Sequence, residues 1–160
     1  MPLRVKIGDI IEIPTSRGLA YAQYTHRAKG EGGAIIRVLN GIFKTRPKDF
    51  SELVMKKHKF ITIFPLGPAV NRRIFAVVGN KEVPEEFQKF PLFRGSGVKE
   101  GDWWLWDGVK SWHVGILTPE QYKLPIQSVP NDTALIEYIE EGWTPETDKW
   151  RGVNSRPPDI

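Results

Sequence analysis

The chain has 160 residues, six tryptophans, no cysteine and a formal charge of +4. That length supports a self-sufficient core, and the missing cysteines exclude disulfides, thiolate catalysis and cysteine-ligated metals. The cations are scattered in short groups (Lys44, Arg46 and Lys48; Lys56, Lys57 and Lys59; Arg72 and Arg73), which reads as solvated surface rather than a nucleic-acid-binding arm.

Residues 5–13 and 20–26 predict an opening β-hairpin. Ile11 and Ile13 alternate with Glu12, Tyr21 and Ala22 precede Gln23, and Pro14 and Gly18 break the run. A third strand, 34–39, follows the glycine-rich loop 29–33 and precedes the turn dipeptide Asn40-Gly41. Residues 47–54 predict a short helix with Phe50, Leu53 and Val54 on one face. Residues 60–64 alternate as a strand, whereas the nearly continuous apolar run 74–78 predicts a buried central strand. Residues 83–101 read as an irregular connection that tucks Phe87, Phe90, Leu92 and Phe93 under the sheet. A second hairpin, 103–106 with 112–117, turns at Asp107-Gly108. Thr118-Pro119-Glu120 starts a short turn. Residues 133–141 form a helix capped by Asn131-Asp132 and closed by Gly142, and Thr144-Pro145-Glu146 repeats the capping pattern. The expected class is α+β: a predominantly antiparallel sheet or small, partly open barrel, with short helices in the C-terminal third.

No stretch approaches the run of about 18 apolar residues that crosses a membrane. The first six residues lack the apolar core of a signal peptide. A cytoplasmic chain without membrane contact is expected.

Few residues invite catalysis. His26, His58 and His113 are far apart without metal-ligand spacing, so solvated or structurally bonded rings are expected, with no metal and no cofactor. Gly95-Ser96-Gly97 lacks the five-residue spacing of a nucleophile elbow and reads as a flexible loop. Asp102 and Asp107 flank a tryptophan-rich strand, where desolvation can separate two carboxyl pKa values, but their places beside Gly101 and Gly108 favour turn roles. No catalytic residue is expected. The sharpest local feature is Trp103-Trp104-Leu105-Trp106. In a strand, Trp103 and Leu105 share one face, and Trp104 and Trp106 the other. One face joins the core; the other is covered by the C-terminal helix or by a partner. Exposed tryptophan beside arginine suits a protein-interface anchor or a base-stacking platform.

Several segments, in this order, resemble the immunity protein 26 family of bacterial polymorphic toxin systems. They are Lys6-Ile7-Gly8-Asp9-Ile10-Ile11-Glu12-Ile13-Pro14, the Gly18-to-Tyr24 return with Tyr21 and Gln23, and Trp104-x-Trp106. Leu117-Thr118-x-Glu120 and Asn131-Asp132 through Ile136 to Gly142-Trp143 complete the set. The resemblance runs from about Val5 to Trp150 and implies a single immunity-type domain over residues 1–150 with a C-terminal tail at 151–160. It also implies a non-enzymatic protein that binds and neutralises a cognate toxin domain. It supplies no catalytic or binding residues to carry over. From the residues themselves, Trp104, Trp106 and Tyr24 are the candidate anchors, with Arg17, Arg27 and Lys29 on a polar rim. Immunity proteins to nucleases are often acidic, whereas this chain is basic, so a partner with a neutral or acidic surface is expected. The alternative, a small-barrel nucleic-acid-binding protein, is disfavoured by the absence of a basic run.

Overall fold

A two-residue reversal at Ser16-Arg17 joins β1 (Asp9–Thr15) to β2 (Gly18–Ala28), with Ile11 opposite Ala22 and Ile13 opposite Ala20. This computed structural model describes residues 4–28, 33–97 and 101–148. The Lys29-to-Gly32 part of the expected loop, Lys29 included, and the 151–160 tail lie outside the described residues. Gly18 adopts φ 135°, and a Cβ there would sit 2.6 Å from the Phe43 carbonyl oxygen, so the hairpin needs glycine where β2 begins.

The architecture is α+β, with two antiparallel sheets and no closed barrel. The first sheet has the order β4-β3-β2-β1-β5, completed by β3 (Gly33–Val38), β4 (Phe60–Phe64) and β5 (Ala76–Asn80). The second has the order β6-β7-β8: Phe93–Ser96, Trp103–Trp106 and Ser111–Gly115. The helices are α1 (Ser51–Met55), α2 (Leu66–Asn71) and α3 (Asp132–Glu141). None of them is long and apolar enough to cross a membrane. Where the sequence reads as one domain, the contacts group into two compact units, Met1–Lys89 with Val129–Gly142 and Phe90–Ser128 with Trp143–Ile160.

In the first unit both faces of the central strands are covered. Ile10, Tyr21 and Leu39 pack with Phe50, Leu53 and Val54, so the apolar stripe of α1 seals one face. Ile11 and Ile13 point the other way by strand alternation, where α3 packs against β1 and α2 against β3. Double coverage corrects the alternation reading: Glu12 and Gln23 are buried as well. Each then needs a partner. Glu12 accepts from Arg46 at 2.6 Å, while Gln23 accepts from Arg37 Nε at 2.9 Å and donates to the Lys81 carbonyl at 2.8 Å.

The run at 74–78 is not a central strand. β5 pairs with β1 alone, starts two residues later than expected and is largely exposed. Phe75, just before β5, and Val78 within it are apolar at a sheet edge, and composition does not distinguish edge from centre. Gly95-Ser96 is likewise part of β6 rather than a loop, paired with Trp104 and Trp103. The helix at 132–141 matches its sequence signals: Asn131 Oδ1 accepts from Ala134 N at 2.8 Å, and Gly142 ends it in the left-handed conformation at φ 71°.

Candidate functional site

The second sheet divides the tryptophans by neighbour rather than by face alone. Trp103 and Leu105 lie in a core with Leu117, flanked by Trp112, Tyr122 and Leu124. On the opposite face Trp106 is 7% exposed, its ring 5.3 Å from Phe90 and 5.4 Å from Phe93. Trp104 shares that face but pairs across the sheet with Gly95 on one side and His113 on the other. A glycine neighbour leaves it without lateral cover, and it remains 40% exposed. Trp106 is therefore corrected from a surface anchor to a core residue, because Phe90 and Phe93 supply the cover. Trp104 stays at the surface.

Around Trp104 the sheet carries His113, whose ring meets the indole edge-on at 5.2 Å, and Asp102, whose carboxylate accepts from His113 Nε2. Gly97 makes the arrangement possible. Its N–H donates to the Asp102 carbonyl at 2.5 Å, and a Cβ at this position would lie 2.6 Å from that oxygen. Ile116, just after β8, and Val109, in the hairpin turn, are also strongly exposed. Asp107 has the turn role expected of it: it accepts from Val109 N and Lys110 N, and these bonds hold its carboxyl below the usual range. Chemically, Asp102 and His113 form an orienting acid and a base beside an indole, which suits a hydrogen-bonding aromatic contact. Among the described residues no three His, Cys, Asp or Glu side chains cluster as a metal site.

The remaining sequence candidates lie in the first unit. Tyr24 is buried (6% exposed); burial pushes its phenol up, opposed by a hydrogen bond from Arg27. It is a core residue that steadies Arg27, not a surface anchor. Arg17 donates to the Glu140 carbonyl at 2.8 Å, while Ser16 N donates to the Glu140 carboxylate at 2.7 Å. Arg17 thus closes the C-terminus of α3, where a cation also suits the helix dipole. The structure brings Tyr24 and Arg27 together and leaves Arg17 at the hairpin tip; Trp104 belongs to the other unit. His26 bridges Thr25 and the Gln88 carbonyl, a structural role as expected.

Two buried cations went unread in the sequence. Arg37 on β3 is fully buried, bonded to Gln23 and the Val54 and Lys56 carbonyls, with its guanidinium 4.4 Å from the Phe87 ring centre. Arg94 on β6 is fully buried too, donating to the Pro145 carbonyl at 2.7 Å and lying 4.8 Å from the Trp103 ring centre. The one available signal was an arginine inside an apolar strand, as in Ile36-Arg37-Val38. Comparison of the chain with known protein families, curated proteins and solved structures finds no match.

Proposed function

We propose that the chain is a non-catalytic cytoplasmic protein that binds a bacterial toxin domain and neutralises it by covering its working surface. The observation that carries this reading is Trp104, a large aromatic held in a strand, 40% exposed, with the His113 ring edge-on to it and Asp102 bonded to that ring. Exposed aromatics at fixed positions dominate protein interfaces because they bury much area at little loss of conformational entropy. The resemblance of the opening hairpin and the Trp104-x-Trp106 strand to immunity proteins supports the toxin as the partner. The net positive charge favours a partner surface that is neutral or acidic.

The test is co-expression with the product of the neighbouring gene. A complex on size exclusion and rescued growth are expected, with Trp104→Ala weakening the complex at least about tenfold. Trp106→Ala serves as the contrast: it lowers stability by about 3 kcal/mol or more, since it empties a packed aromatic site. Absence of both complex and rescue overturns the reading. Salt-sensitive retention of single-stranded oligonucleotide, lost in Trp104→Ala, would favour the nucleic-acid alternative instead.

A further inference from the structure

Among the described residues no strand pairs with the outer edge of β5, which runs beside an open groove of about 840 Å³. Val77 pairs with Ile11 and shares its face, so its side chain points toward the groove, where Val70 and Phe75 form a buried floor. Val77 and Ile7 are themselves 41% and 46% exposed. Three cations stand around this apolar strip: Arg4 and Lys6 from the segment before β1, and Arg73 from the end of α2. Among the described residues the acid lining it is Asp9, which is buried and occupied by Lys6 N at 2.8 Å and Asn80 Nδ2 at 2.9 Å. The groove therefore faces solvent with an apolar floor and a positive rim.

Two features distinguish this edge from ordinary surface. Sheet edges are usually blunted by Lys or Pro, which resist pairing with a foreign strand. The β5 sequence Ala-Val-Val-Gly-Asn contains neither. Arg73, moreover, sits at φ 60°, at the left-handed position of a helix-ending motif in which its N–H meets the Val70 carbonyl and Ile74 N–H meets the Ala69 carbonyl. Glycine or asparagine fits that position without strain, and arginine does not. The fold thus places a cation beside the groove at a backbone position that disfavours arginine.

We infer that β5 accepts an extended segment of another protein as an added strand, one whose apolar side chains enter the groove and whose flanking acidic residues meet Arg4, Lys6 and Arg73. Backbone hydrogen bonds to the β5 edge supply affinity. The apolar floor and the cationic rim select the sequence. The site belongs to the first unit and does not depend on the Trp104 surface or on the partner being a toxin.

The probe is a synthetic peptide of alternating Val and Thr, matched to the five residues of β5 and flanked at each end by two glutamates. Titration against the full chain should show saturable binding, slowed amide exchange at residues 76–80, and loss when alternate peptide amides are N-methylated. Flanking lysines in place of the glutamates should abolish binding. Arg73→Gly should weaken it about tenfold while leaving the melting temperature unchanged or higher, because the substitution relieves strain. Lys6→Glu should weaken it further. Absence of binding overturns the proposal, as does equal binding of the lysine-flanked peptide, or a dimer of the chain alone that protects residues 76–80.

Discussion

Arg37 shows how much a single buried side chain decides. Its guanidinium is satisfied by neutral oxygens, Gln23 Oε1 and the Val54 and Lys56 carbonyls, rather than by a carboxylate. Burial pulls its pKa down to about 10, yet it remains charged at neutral pH. Arg37→Leu fills the volume but strands three acceptors. It should therefore lower stability by about 3 kcal/mol in urea unfolding, the scale of a broken buried polar network. A loss below about 1 kcal/mol would mean water replaces the guanidinium. The tryptophans make the same argument with apolar groups: two side chains on one face of one strand differ because one meets Phe90 and Phe93 and the other meets Gly95.

Among the elements, the β6–β7 pair is sensitive to a small change at its end. Gly97 approaches Asp102 so closely that even a methyl group collides with backbone. Gly97→Ala should force the strand ends apart, lower stability by about 1–3 kcal/mol and shift the His113 ring resonances as Asp102 moves. Unchanged His113 signals would show that the pair does not depend on this approach. The helix α3 is set by local chemistry at both ends, and it gains a tertiary clamp from Ser16 and Arg17 of the first hairpin. Segments whose end signals lie within a few residues, such as this helix and the two hairpins, were readable before any fold was known. β5 was not, because its apolar run serves a sheet edge as well as it would a sheet centre.

For the molecule, His58 makes stability depend on pH near neutrality. Burial, with Arg37 and Lys57 nearby, pulls its pKa from the ordinary 6.5 down to about 4, and its ring packs edge-on against Phe87 at 5.0 Å. The unfolded chain takes up the proton first. The stabilisation is therefore complete above about pH 6.5 and is lost as pH falls toward 4. The loss should reach on the order of 2 kcal/mol after allowance for partial exposure, measured by denaturation followed by circular dichroism. His58→Gln should flatten the profile; an unchanged slope would assign the effect to other groups. His58 lies in the first unit, whereas all six tryptophans fall within the residue ranges of the second. Tryptophan fluorescence therefore reports the second unit and not the one in which His58 titrates.

The sequence by itself determined the α+β class, the two hairpins with their turns, and the limits of α3. These depend on turn residues, alternation and caps that act over a few positions. Only the tertiary structure decided which strand became the edge, that Glu12, Gln23, Arg37 and Arg94 lie inside, and that Trp104 is exposed while Trp106 is not. Burial is a property of what packs across from a residue, and those neighbours come from distant parts of the chain. The groove beside β5 has the same origin. Its floor, edge and cations come from segments more than sixty residues apart, from Arg4 to Val77, and only folding brings them to one place.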